Sequence, residues 1–260
     1  MFPKHKKLYS YKGLVEAMKA FPAFAHTGDA KTGKREAAAF LANVSHETSG
    51  LIYINEQNKA AWPTYCTQEP YGCPAGQSAY HGRGPLQISW NYNYKAAGDA
   101  FHVDLLHHPN LAAENSTVTW KLALWYWMTQ SGPGTMTSHH AMVESGGFGE
   151  TIRSINDAVE CNGGRSSGCQ QLRYGPVPTL SILVNFLYFA IRSWTSAAAL
   201  AAGGHAGTSA APAKKKGISP GLRRGHQGTG RCEGRLVLHL GLGQGRDQGT
   251  ARRRVRPHDP

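Results

Sequence analysis

From Thr195 to Pro260 the chain contains no Phe, Tyr or Trp, while Gly, Ala and Arg dominate. A stretch of that composition buries little apolar surface and is not expected to pack a core, so any folded domain must be built from the residues before it. Charge divides the chain in the same way. Residues 1–164 carry 13 Lys+Arg against 13 Asp+Glu, and residues 165–260 carry 15 against 3. The formal charge of +12 therefore belongs to residues 165–260, and no nucleic-acid partner is expected for the N-terminal part. The expected organisation is a folded domain over 1–164, an uncertain segment over 165–194 and a basic, disordered or frame-shifted tail over 195–260. As a disordered arm the tail would meet anionic polymers through Lys214-Lys-Lys216 and Arg252-Arg-Arg254. The apolar run Val177–Ile191 is fifteen residues long and interrupted by Asn185, short of the about twenty needed to span a bilayer, so no membrane partner is expected.

Within the first part the apolar spacing is helical. Thr32 can cap a helix from Gly33 or Lys34 to about His46, with Ala37, Phe40, Leu41 and Val44 on one face. Glu47 then sits at the C-terminal end, where the negative pole of the macrodipole disfavours ionisation and suits a carboxyl that acts as an acid. Asn115 or Ser116 opens a second helix marked by Val118, Leu122, Trp125 and Thr129. A third runs from about Glu150 to Val159. Leu51–Ile54 reads as a short strand with Glu56 on the loop after it. The fold class is mainly α with a small β element.

Two carboxylates stand nine residues apart, Glu47 in Asn43-Val-Ser-His-Glu-Thr-Ser-Gly50 and Glu56 in Ile54-Asn-Glu-Gln-Asn58. Glycoside hydrolysis needs such a pair, one protonating the leaving oxygen while the other activates water. Spacing alone does not separate it from two solvated surface charges. The following motif, Tyr80-His-Gly-Arg83-Gly-Pro-Leu-Gln87-Ile-Ser89-Trp90-Asn-Tyr92-Asn93-Tyr94, mixes aromatic faces with amide and hydroxyl groups. Rings of that kind cover the apolar faces of sugars while the amides satisfy their hydroxyls. The same composition also suits a Gly-Pro turn leading into an ordinary core segment. His46 beside Glu47 suggests a zinc motif, but position 50 is Gly where a second His would stand. The pairs His107-His108 and His139-His140 lack ligand spacing, and no metal or other cofactor is expected.

Taken in order, His46-Glu-Thr48, Glu56-Gln-Asn58, Tyr65-Cys66, Tyr71-Gly-Cys-Pro-Ala-Gly76 and Gly82–Tyr94 resemble a family 19 chitinase catalytic domain of the compact bacterial kind. Trp125–Thr135 and Gly149–Gly164 continue the resemblance, which covers roughly residues 1–164. It implies a two-lobed, lysozyme-like helical domain that cleaves β-1,4-linked N-acetylglucosamine polymers with inversion. Glu47 would be the general acid and Glu56 the general base, about 6.5–9.5 Å apart to admit water. Ser89 would position that water. Gln87, Trp90, Tyr92, Asn93 and Asn156 would bind sugar, with His46, Thr48, Arg83 and Glu160 supporting them from behind. His81 departs from the pattern, standing where the family usually has a second Tyr.

The five cysteines leave at least one unpaired within the chain. Cys66 and Cys73 are close enough in sequence to form a small disulfide. In the family Cys161 would pair with a cysteine at the domain's end, which is missing here. The resemblance also implies a later helix carrying a cleft arginine, but Leu172 occupies that position, with Arg173 in Leu-Arg-Tyr-Gly-Pro. Loss of resemblance followed by Arg, Gly and Ala excess is what a shifted reading frame of a GC-rich gene produces. Met1-Phe-Pro3 resembles an internal family segment. Met1–Ser10 has no apolar signal core, although secretion is expected from the family and the cysteines. The expected partner is chitin or a chitooligosaccharide, acted on by a monomer. The alternatives are a chitin-binding remnant without chemistry and a muramidase-like endolysin acting on peptidoglycan.

Overall fold

The computed structural model describes residues 4–144 and 146–161. They form α1 (Tyr11–Met18), α2 (Ala30–Glu47), a 3-10 helix (Lys59–Tyr65), α3 (Asn91–Phe101), α4 (Leu111–Glu114), α5 (Ser116–Thr129), α6 (Ser138–Val143) and α7 (Phe148–Glu160). This is the mainly helical, lysozyme-like architecture that the resemblance implies.

The helix starts follow from capping chemistry. The Ser10 side chain accepts from the Gly13 N–H, Asp29 from Thr32, Asn115 from Val118 and Thr137 from His140. Each satisfies a backbone donor that the first turn leaves unpaired. Helix α2 begins earlier than its expected start at Gly33 or Lys34, because Asp29 rather than Thr32 takes the capping position, at 2.7 Å from the Thr32 N–H. Its C-terminus at Glu47 and the start of α5 after Asn115 agree with the sequence reading.

Phe40 of α2 is the centre of the core. Its ring meets Phe24 at 5.2 Å and Trp127 at 5.3 Å, both edge-on, and Trp120 at 6.3 Å. Such ring pairs add about 0.5–1.5 kcal/mol each beyond area burial, and here they lock α2 onto α5. One polar group lies within this apolar mass. Glu36 is wholly buried and accepts from the Ala25 N–H (2.9 Å), Trp127 Nε1 (2.9 Å) and His139 Nδ1 (2.7 Å). A buried carboxylate is tolerated when it is so paired. The contact also gives a role to His139, a member of one of the histidine pairs without ligand spacing.

Around this bundle, α1 packs on α5, with Ser10 and Ser116 hydroxyls 2.8 Å apart, and α6 and α7 pack on each other and on α2. Asn43 Nδ2 donates to Thr151 Oγ1 at 3.1 Å, tying α2 to α7 one turn before Glu47. The other side of the molecule is irregular. The chain from Ser49 to Trp90, together with α3 and α4, is organised around Arg83. That buried guanidinium donates to the carbonyls of Ala79 (2.6 Å) and His81, to the Tyr94 hydroxyl (2.8 Å) and to Asn110 Oδ1 (2.9 Å).

The expected strand at Leu51–Ile54 does not form. Among the described residues β-structure is confined to isolated bridges between Asn55 and Arg83 and between Arg83 and Ile88. Leu51 instead takes φ 65° in a turn, and the backbone N–H groups of Ile52 and Tyr53 both return to the Thr48 carbonyl at 3.0 Å. Capping α2 wins over the apolar run because Thr48 also offers its hydroxyl to Leu51 N–H, at 2.7 Å. The segment assignments over 165–194 and 195–260, the Val177–Ile191 run, the Leu172 position and the Glu160 side chain lie outside the described residues. No helix among the described residues is long and apolar enough to cross a membrane.

Candidate active site

Glu47 is the last residue of α2 and is half-buried, as are His46 before it and Glu56 on the following loop. The turn between the two carboxylates is fixed from several directions. Thr48 is fully buried and its hydroxyl donates back to the Val44 carbonyl at 2.6 Å. The N-terminal segment clamps the same turn, Lys6 N–H donating to Leu51 O (2.9 Å) and the Tyr9 hydroxyl to Tyr53 O (2.7 Å).

Glu47 has an aromatic setting. Tyr126 of α5 has its phenol pushed up to about 12, first by burial and then by the negative charge of Tyr92 and Glu47. That coupling puts Tyr92 and Glu47 each within electrostatic reach of Tyr126. The Tyr126 hydroxyl donates to Ser154 O at 3.0 Å. Two residues further on, Asn156 leaves the helical conformation (φ −152°, ψ 47°), kinking α7 at a half-buried position.

Glu56 is held by its own loop and by the glycine-rich motif. Its N–H donates to Gly82 O (2.8 Å), while Gly84 N–H and Gln87 Nε2 both reach Ile54 O (2.9 and 3.2 Å). The Glu56 carboxylate accepts from the Asn58 N–H on one oxygen and from the Tyr65 hydroxyl on the other, each at 3.1 Å. Trp62 Nε1 donates to the Glu56 carbonyl at 3.3 Å. Gly84 takes φ 76° with the Thr119 methyl 3.3 Å from where a Cβ would lie, so that position requires glycine.

Within the motif the backbone is strained. Gln87 has φ 47° and Trp90 has φ 79° with ψ 133°, a region that side chains disfavour. Trp90 is kept there by its N–H on Tyr80 O (2.9 Å) and by Asn93 and Tyr94 N–H groups on its own carbonyl. The result is a wall of rings. Trp90 lies near-parallel to the exposed Tyr92, centroids 6.0 Å apart, and near-perpendicular to Tyr65 at 5.3 Å. Ser89 Oγ donates to Gln87 O (3.1 Å) and Asn93 Nδ2 to Ser89 O (2.9 Å), so these polar residues also order one another.

Cys66 and Cys73 form the expected disulfide. Asn91, at the first turn of α3, fastens this loop by accepting from Thr67 N–H and Oγ1 and donating to Thr67 O and Gly72 O. Cys161 is also disulfide-bonded.

His81 is buried and stacked on Trp62, centroids 3.5 Å apart and 9° from parallel, with Nδ1 on Ser78 O at 2.9 Å. Burial is the main reason its pKa is lowered, and the Arg83 charge adds to that. Among the described residues no group of three or more His, Cys, Asp or Glu is arranged to hold a metal ion. His107 pairs with Asp104 and His139 with Glu36. Sequence reasoning missed three residues: Tyr65, Trp62 and Tyr126. Tyr65 was visible only as the neighbour of Cys66, and Trp62 and Tyr126 only as aromatic residues in apolar surroundings.

By fold, the described part is a lysozyme-like helical domain with carboxylates and exposed aromatic rings along its irregular side. The chain belongs to glycoside hydrolase family 19: the family model described as chitinase class I matches residues 3–175. In structure it is similar to chitinase C from Streptomyces griseus HUT6037, at TM-score 0.65 and 56% identity over 72% of each chain. It is also similar to a family GH19, class IV chitinase from Zea mays, at TM-score 0.56 and 38% identity, covering 73% of this chain and 84% of that one. Endochitinase A from Zea mays is 43% identical over 189 residues, 68% of this chain and 63% of the relative. The chain thus spans less than two thirds of that relative's length.

Proposed function

We propose that residues 1–164 form a chitinase catalytic domain that hydrolyses β-1,4-N-acetylglucosamine linkages in chitin, endo-fashion and with inversion at the anomeric carbon. The family membership supports the substrate class. The observation that carries the reading is the two-point anchoring of Glu56 on a loop fastened to the Gly82–Trp90 motif. A general base needs such fixed orientation, and a solvated surface charge does not.

In this mechanism Glu47 is protonated and gives its proton to the glycosidic oxygen as the C–O bond breaks. Glu56 takes a proton from a water that attacks the opposite face of the sugar, so one carboxyl ends ionised and the other protonated before the two exchange protons with solvent. Ser89 positions that water. Trp90 and Tyr92 stack on pyranose faces while Gln87, Asn93 and Asn156 bond to substituents. His46, Thr48 and Arg83 support the acid and the cleft motif. No cofactor takes part. Residues 195–260 stand outside this chemistry, and the Cys66–Cys73 disulfide is consistent with an oxidising, extracellular setting.

The test is release of soluble sugars from colloidal chitin, with a peptidoglycan-clearing assay beside it, by wild type and by Glu47→Gln and Glu56→Gln. Chitin turnover lost in both variants supports the proposal. Clearing of peptidoglycan alone points to a muramidase, and binding without turnover to a chitin-binding remnant.

A further inference from the structure

Glu56 lies on a loop outside any regular element, so something other than a helix or strand must aim it. We infer that Tyr65 is a positioning residue for Glu56, fixing the carboxylate against the water it activates. This rests on the assignment of Glu56 as base under the proposed function.

Both carboxylate oxygens are engaged, one by the Asn58 N–H and one by the Tyr65 hydroxyl. The Asn58 contact lies two residues along the same loop and moves with it. Tyr65 is different, because it brings in a separately anchored element. It is the last residue of the 3-10 helix, whose Trp62 bonds to the Glu56 carbonyl and stacks on the buried His81. Its ring stands near-perpendicular to that of Trp90, centroids 5.3 Å apart. The residue after it is Cys66, in a disulfide with Cys73, and Thr67 is bonded three ways to Asn91. The phenol is thus held from both chain directions and by a neighbouring ring before it reaches the carboxylate.

A phenol that donates to the ionised form favours that form and narrows the carboxylate's rotation. The effect is reciprocal: burial first, and then the Glu56 charge and hydrogen bond, raise the Tyr65 pKa.

The experiment uses the full chain, with Tyr65→Phe and Glu56→Gln. In Tyr65→Phe, kcat on a chitin hexasaccharide is expected to fall about three- to thirty-fold with KM changed less than about two-fold, since one charge-assisted hydrogen bond is lost. The acid limb of its activity profile should move to higher pH. A purely structural role for the ring would leave that limb where it is. Wild-type kcat and limb in Tyr65→Phe overturn the inference. A second readout does not depend on turnover: NMR of ring-labelled tyrosine, with Tyr65 assigned by its absence in Tyr65→Phe. The Tyr65 titration should move to lower pH in Glu56→Gln, and an unmoved titration overturns the inference even in an inactive chain. Absence of chitin turnover in wild type, or turnover retained in Glu56→Gln, tells instead against the function on which the inference rests.

Discussion

The imidazole of His81 lies flat against the indole of Trp62, centroids 3.5 Å apart and planes within 9°. A position where a second tyrosine was expected therefore still presents a flat ring, and the face it offers is used by the loop that carries Glu56. Trp62 in turn bonds to the Glu56 carbonyl, so the stack and the carboxylate belong to one mechanical unit.

His81 should make stability pH-dependent. Its folded-state pKa is lowered from 6.5 by burial and by Arg83. The unfolded chain therefore binds the proton first, and stability present above 6.5 is lost as pH falls through the folded-state value. Urea denaturation of wild type and His81→Phe between pH 7.5 and 5 (a window about one unit above and below the ordinary value) should show a steeper decline in wild type. Parallel curves would remove His81 as the cause.

Glu36 should be among the costliest side chains to truncate. Its carboxylate serves three donors inside the aromatic core. Glu36→Ala leaves the Ala25 N–H, the indole and His139 Nδ1 without this acceptor, and a loss of about 3–5 kcal/mol is expected in chemical denaturation. Glu36→Gln keeps an acceptor and should lose less.

Trp90 allows backbone strain to be separated from sugar contact. Its φ of 79° suits glycine better than any side chain. Trp90→Gly should therefore be more stable than Trp90→Ala, by about 1 kcal/mol, while both weaken chitooligosaccharide binding about ten-fold or more by titration calorimetry.

Removing the Cys66–Cys73 bridge should cost about 2–3 kcal/mol from loop entropy. Because the bridge also fixes the strap that carries Tyr65, Cys66→Ser with Cys73→Ser should lower kcat more than it raises KM. Steady-state kinetics at a temperature where both proteins stay folded provides the check.

How far these features were legible in the sequence depended on range. Helix α2 and α5 were readable because capping residues and i, i+4 apolar spacing are local signals, and they put Glu47 at a helix end correctly. Asp29 displaced Thr32 as the cap because two good capping residues stood within one turn and only backbone geometry chooses between them. The Leu51–Ile54 strand failed for a similar reason: four apolar residues suit a strand or a buried turn, and Thr48 capping decided the matter. Helix α3 was hidden by its own sequence, since Asn91-Tyr-Asn-Tyr-Lys reads as cleft composition and its preceding residue has no capping side chain. The Glu36–His139 pair and the Tyr65–Glu56 contact join residues that no periodicity relates.

Whether an acid and a base act from opposite faces of the sugar is read from the anomer first released from a chitin hexasaccharide by the full chain, with Glu47→Gln as control. The α-anomeric product is expected, and it should be absent in the control. β-Anomeric product, or product formed equally by Glu47→Gln, would contradict the proposed mechanism.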